Sequence, residues 1–240
     1  MQKTIGLMRK AIQEFNMIEN GDKIAVGVSG GKDSLVLLEG LCRLKLFMPI
    51  KFDIVVLTLD LQFKRKQTDF SEIKKICDKY FVPYVVKLTE IGHIVFDIKK
   101  ETHPCSLCAR MRRGALHDLA ILNGCNKIAF GHHFDDVVET FMMNLFNEGR
   151  IACFSPKTYL SRKNITLIRP LVLTPEIEIK RAAKRTGLKV LKSSCPVDGT
   201  TNRQTVKEFL NQREKLNKGF KDRIFGAMRR AGINGWGFLD

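Results

Sequence analysis

The run Ser29-Gly30-Gly31-Lys32-Asp33-Ser34 sits between an apolar stretch, Lys23 to Val28, and an apolar-periodic one, Leu35 to Leu46. That placement predicts a buried strand that turns through two glycines directly into a helix. Such a turn aims several backbone N–H groups and the positive end of the helix at one point, and glycines let the backbone approach an anion closely. Lys32 adds a point charge, and Ser29 and Ser34 add hydroxyls, so the segment reads as a phosphate cradle.

The rest of the chain repeats the alternation. An opening amphipathic helix (3–15) is followed by strands at 24–28, 53–61, 84–88 and 127–131, with helices at 32–46, 70–80, 106–123 and 134–147 between and after them. Alternating strands and helices predict an α/β fold with an open parallel sheet and helices on both faces. The segment from Gly149 to Pro170 reads as irregular with one short strand at Ile165–Ile168, and helices follow at Glu176–Arg185, 203–217 and 220–231. A soft boundary near residue 170 separates an α/β part that holds the phosphate cradle, 1–170, from a basic helical extension, 171–240.

In a parallel sheet, ligands gather outside the carboxyl ends of the strands, so residues just after a strand are the candidates for chemistry. Asp60 ends the second strand, where a carboxylate could hold a ribose, a magnesium ion or an RNA base. Gly131-His132-His133-Phe134-Asp135-Asp136 is a second strand-to-helix turn, whose imidazoles and carboxylates suit Mg²⁺ and ATP phosphates, or simple helix capping.

The cysteines carry the other signal. Cys105 and Cys108 form a C-x-x-C at a helix start, and Cys195 stands far downstream in Ser-Ser-Cys-Pro. A C-x-x-C suits a redox pair, half a zinc site with His103 or His117 completing it, or two ligands of an iron–sulfur cluster. Seven scattered cysteines argue against a disulfide framework, and Cys42 and Cys77 read as small core residues.

Charge narrows the partner. Forty-one Lys plus Arg against 25 Asp plus Glu give +16, and residues 176–240 hold 15 basic against 7 acidic side chains, so a polyanion is the natural ligand. Lys180, Arg181, Arg229 and Arg230 are the expected phosphate contacts. One Trp and three Tyr are too few for a base-stacking platform and favour recognition of folded RNA. No apolar run reaches the roughly 20 residues of a membrane span, and the first fifteen residues are too charged for a signal peptide, so a cytoplasmic protein is expected.

The glycine loop departs from both the Walker A and the G-x-G-x-x-G patterns. It resembles, without a mismatch, the SGGxDS signature of the PP-loop ATP pyrophosphatases. Together with Asp60, Cys105-Ser106-Leu107-Cys108, Arg110, Arg112, Arg113, Gly131-His132-His133, Asp135-Asp136, Asn144-Leu145-Phe146, Ile168-Arg169-Pro170-Leu171 and Cys195, it is similar to the tRNA 2-thiocytidine synthetase family over nearly the whole chain.

The resemblance implies an ATP-dependent tRNA sulfurtransferase that adenylates C2 of a pyrimidine, cytidine 32 of the anticodon loop, and exchanges its oxygen for sulfur. It implies a 4Fe-4S cluster on Cys105, Cys108 and Cys195, with ATP and Mg²⁺ held by Ser29, Gly30, Gly31, Lys32, Asp33, Ser34, Gly131, His132 and Asp136. Lys32, Asp33, Asp60, Arg112 and Asp135 are the implied catalytic groups. Implied partners are tRNA, ATP and a sulfur donor, either a cysteine desulfurase or free sulfide; no membrane is involved, and a homodimer is compatible.

Two stretches differ from the family pattern: Leu-Gln-Phe-Lys-Arg-Lys-Gln after Asp60, and Pro-Val-Asp-Gly after Cys195. Three other activities share parts of this motif set. They are T-loop 2-thiouridine synthesis, lysidine-synthase-like amine ligation with structural zinc, and non-catalytic RNA binding by an iron–sulfur protein.

Overall fold

The computed structural model describes residues 1–63, 66–99, 104–192, 194–197 and 202–237. His103, Asp198, Gly199, Lys64 and Arg65 lie outside them. Helix α1 (Gln2–Glu14) leads into β1 (Asp22–Gly27), α2 (Lys32–Phe47), β2 (Phe52–Asp60), α3 (Ser71–Tyr80) and β3 (Tyr84–Leu88). A short α4 (Ile91–His93) continues as a π turn over Ile94–Ile98. Then come α5 (Pro104–Leu122), β4 (Lys127–Ala129), α6 (Phe134–Glu148), β5 (Lys157–Leu160), β6 (Ile165–Ile168), α7 (Glu176–Arg185), α8 (Asn202–Leu216) and α9 (Phe220–Arg230).

The sheet order is β3-β2-β1-β4-β6-β5. Five strands run parallel, as the alternation predicts, but β5 pairs antiparallel to β6 and makes the sheet mixed. The tight connection at Ser161–Lys163, with Asn164 at φ 48°, is long enough only for a hairpin, whereas a parallel return needs a crossover of a dozen residues. From β1 the chain builds outward through β2 and β3 on one side, and β4 and β6 fill the other. The β1/β4 boundary is therefore the topological switch point, and the loops leaving those two strands face one crevice.

Both faces of the sheet are covered, which is why β1 and β2 read as continuous apolar runs. Ile24, Val26, Ile54 and Val56 face the larger cluster, formed with α1, α2, α3, α6, α7, α8 and α9. Ala25, Val55 and Leu57 face the other way, against Leu116, Leu119 and Ala120 of α5. Ten of the sixteen residues of α2 are buried, so its amino end is fixed by burial that contributes roughly 1.5–3 kcal/mol for each large aliphatic side chain. The larger cluster runs from Met8 to Trp236. Among the described residues no helix is long and apolar enough to cross a membrane.

The carboxyl half of α5 covers the sheet, while its amino half reaches toward the carboxyl edge of the strands. There Cys108 packs with Ile91 and Val95 of the α4 segment and with Leu61. Residues 91–98, between β3 and α5, are the support on which the C-x-x-C rests.

Candidate active site

The cradle is built as predicted, with one difference in how its polar groups are used. Val28 N donates to Leu57 O at 2.9 Å and Thr58 Oγ1 donates to Val28 O at 2.8 Å, which pins the strand end to β2. Gly30 has φ +82°, and a Cβ there would stand 2.5 Å from Leu191 Cδ1, so any other residue would be strained and would have to displace Leu191. Ser34 Oγ donates to Gly31 O at 2.9 Å and accepts from Ser29 N at 3.2 Å. The mostly buried Ser34 hydroxyl therefore shapes the loop from inside, and Ser29, Gly31, Asp33 and Ser34 all border the open cavity.

Lys32 turns toward α7. Its ammonium lies 3.1 Å from Asp33 Oδ2 and 3.0 Å from Glu176 Oε1. Burial alone would lower the Lys32 pKa, but these two carboxylates outweigh it and hold the ammonium above its ordinary value.

The second loop abuts the first. A Cβ on Gly131 would lie 3.1 Å from the Asp33 carbonyl carbon and 3.2 Å from Ser34 N, backbone atoms that cannot swing aside. His133 and Asp136 form a reciprocal cap at the start of α6: Asp136 N donates to His133 Nδ1 at 3.3 Å, and His133 N donates to Asp136 Oδ2 at 2.9 Å. His132 borders the cavity with its Nδ1 buried and unpartnered among the described residues. Burial and the nearby Arg169 guanidinium push its pKa down to about 4, so it is a neutral imidazole at pH 7.

Two of the expected catalytic carboxylates are engaged elsewhere. Asp60 is buried and accepts from Gln62 N at 3.0 Å and Thr68 N at 2.9 Å, so it folds the loop after β2. Asp135 accepts from Glu176 N at 2.7 Å and from Lys221 Nζ at 2.7 Å, joining α6 to α7 and α9. Neither borders the cavity, whereas Asp33 and Asp136 do.

The cavity has a volume of about 470 Å³, within the usual range for a small-molecule site. One wall is apolar, with Leu57, Leu59, Phe70 and Phe130, and suits a flat base; the other carries the two anion loops. Cys108, Cys195 and Arg112 close one end. Cys108 is buried, Cys195 half-buried and Cys105, one turn earlier on α5, exposed; none of the seven cysteines forms a disulfide. Burial pushes the Cys108 thiol up, Arg112 opposes that shift, and charge on Cys195 or Cys105 adds to it. Among the described residues no three His, Cys, Asp or Glu side chains stand close enough to hold a single metal ion. The segment carrying Cys195 is tied to the cradle, since Leu191 N donates to Gly30 O at 3.0 Å. His117, weighed as a zinc ligand, is buried on α5 with Nε2 unpartnered among the described residues.

Several site residues carried no motif. Arg203 borders the cavity and lies 3.6 Å from Asp136 Oδ1, and Glu139, almost fully buried, lies 3.7 Å from the same guanidinium. Glu176 meets Lys32, Lys207 and Lys180 at 3.0, 3.1 and 3.2 Å. Glu139 was findable, as a charge set among Val137, Val138 and Met142 on an apolar face. Lys32 is far from Glu176 in sequence, and Asp136 and Glu139 are far from Arg203, so no local pattern marks those pairs; Glu176–Lys180 alone has the i,i+4 spacing of one helix face.

Crevice, cradle and second loop define a nucleotide-binding α/β protein, and a family model described as the PP-loop domain matches residues 5–214. The tRNA-cytidine(32) 2-sulfurtransferase of Syntrophotalea carbinolica is 37% identical over 92% of this chain and 86% of its own length. That of Geobacter sulfurreducens is 36% identical over 91% and 86%. Among solved structures, the U34-tRNA thiolase NcsA from Methanococcus maripaludis with its 4Fe-4S cluster superposes with TM-score 0.77 at 28% identity, over 94% of this chain and 77% of that one. The chain belongs to the PP-loop family and, within it, groups with the tRNA-cytidine(32) 2-sulfurtransferases.

Proposed function

We infer that this chain is an ATP-dependent, iron–sulfur-dependent tRNA sulfurtransferase acting on C2 of cytidine 32. The observation that carries the reading is a single cavity bordered by both anion loops and by Cys108 and Cys195. A nucleotide site and a thiol site that share one chamber suit a reaction in which activation and sulfur transfer happen at the same carbon.

The C2 oxygen of a pyrimidine is a poor leaving group. Attack of that oxygen on the α-phosphorus of ATP forms one P–O bond and breaks another, releasing pyrophosphate; sulfur then adds at C2 and the oxygen departs with AMP. Loop N–H groups of Ser29 to Asp33, with Lys32, would stabilise charge growing on the pyrophosphate, a contribution of several kcal/mol. Asp33 and Asp136 face the cavity and would hold Mg²⁺. Neutral His132 offers a lone pair or an N–H without adding charge. Arg112, at the thiol end, would meet the RNA.

Cys108 and Cys195 border one cavity and Cys105 lies one turn before Cys108 on α5, with the Arg112 guanidinium favouring the Cys108 thiolate; three thiols are a donor set whose chemistry fits an iron–sulfur cluster. Held by Cys105, Cys108 and Cys195, a 4Fe-4S cluster would leave one iron without a protein thiolate, available to sulfide. Residues 1–170 would supply the nucleotide loops, and 171–240 the third cysteine and α8. The sulfur donor would be a cysteine desulfurase or free sulfide, and self-association as a homodimer belongs to the same proposal.

The test is iron per chain and tRNA thiolation after anaerobic reconstitution. Wild type should hold about four irons, and Cys195→Ala or Cys108→Ala should lose both chromophore and thiolation, since two thiolates do not retain such a cluster. Zinc without iron in wild type would move the assignment to an amine ligase.

A further inference from the structure

Ser29, Gly31, Asp33 and Ser34 border the cavity, but the one ammonium of the cradle does not. Lys32 is held aside by Glu176, the first residue of α7, and the carboxylate that holds it is itself fixed. Its backbone N–H bonds Asp135 Oδ2, and Asp135 is anchored by Lys221. Glu176 also has more cations than it needs. Lys32 takes Oε1, while Lys207 from α8 and Lys180 from the same helix take Oε2.

This arrangement makes release of Lys32 cheap. A buried carboxylate that loses its sole partner is left uncompensated at high cost. Glu176 would keep two ammonium groups after Lys32 leaves. Until then Lys32, a charge on a flexible stem, stays ordered next to the loop it serves, which lowers the entropy lost on binding. We propose that Glu176 is a positioning residue that stands in for phosphate: it keeps Lys32 in reserve beside the cradle until a phosphate chain displaces it, with Lys207 neutralising Glu176 once Lys32 has moved. The proposal rests on the reading of the loop as an ATP site.

Two variants of the full-length protein should then shift pyrophosphate affinity in opposite directions. Glu176→Gln removes one of the two carboxylates that hold Lys32 and leaves Asp33, so inorganic pyrophosphate, measured by calorimetry, should bind about two- to fivefold tighter, the range of a partly exposed ion pair. Lys207→Met makes release harder and should weaken binding by a similar factor. Both effects should vanish in a Lys32→Ala background, and Glu176→Asp should return affinity toward wild type. A merely structural role would move both variants the same way, or leave their effects unchanged without Lys32; either result overturns the inference while the ATP site stands. Absence of pyrophosphate and ATP binding to wild type would overturn the ATP site itself, and the inference with it.

Discussion

Glu139 lies one turn after Asp136 on α6 with 2% exposure. Burial, aided by the Asp136 charge, pushes its pKa up to about 7 from 4.5, while Lys207 and Arg203 only partly oppose the shift. Below about pH 4.5 the carboxyl is protonated whether or not the chain is folded, so ionisation costs nothing. Between about 4.5 and 7 the unfolded chain gives up the proton and the folded one keeps it, so stability falls as pH rises; above 7 the loss is complete. Glu139→Gln should therefore stabilise the fold by about 3 kcal/mol at pH 8 and make little difference at pH 4, as urea melts at the two pH values would show. An equal effect at both would mean packing, not charge, sets the cost. His132 works in the other direction: unfolded chains take up its proton below about pH 6.5, so the folded state weakens on acidification toward 4. Arg229 shows the limit of reading single residues from sequence. Expected at the RNA surface, it pairs with Glu14 and donates to Trp236 O, between the rings of Phe15 and Phe225.

At the level of elements, the two strand-to-helix turns were legible because their signal is local: an apolar run, a Gly and a polar helix start within ten residues. The partition of their carboxylates was not. Asp135 and Asp136 are neighbours in sequence but point to opposite sides of the helix start, one into packing between helices and one into the cavity, and only the partners on α7, α8 and α9 decide which. Strand β5 was missed for a related reason, being four residues long, half-exposed and without a strong apolar alternation. The closeness of the two turns is itself testable. Gly131→Ala would press a methyl against the backbone of Asp33 and Ser34, where nothing can yield, so the loops must part by several tenths of an ångström. ATP affinity should drop at least tenfold while the melting temperature moves by only a few degrees, since the strain falls on the crevice and not on the core. Full ATP affinity in Gly131→Ala would show that the contact between the loops is incidental.

Across the whole molecule, the charge of +16 is distributed differently from its density along the chain. Lys180, Arg181, Lys207, Lys221 and Arg229 all pair with acidic side chains, so much of the basic extension binds the protein to itself. Arg110, Arg112, Arg113 and Lys192 are exposed, and Arg112 and Lys192 also border the cavity. tRNA binding should weaken steeply with salt, and reversing Arg112 and Lys192 together to Glu should reduce the log–log slope by about two, one per lost phosphate contact, whereas Lys180→Glu should leave it unchanged. A slope unaffected by the pair would place the RNA elsewhere. A different consequence follows from Trp236, which is fully buried, packs edge-on against Phe15 at 5.6 Å and Phe225 at 5.3 Å, and donates its indole N–H to Phe154 O at 2.7 Å. During translation, α1, the cradle and the second loop all emerge long before this indole does. The nascent chain thus carries both glycine-containing loops through most of synthesis with an apolar seam open beside α1, surface of the kind that makes an unfinished chain prone to aggregate.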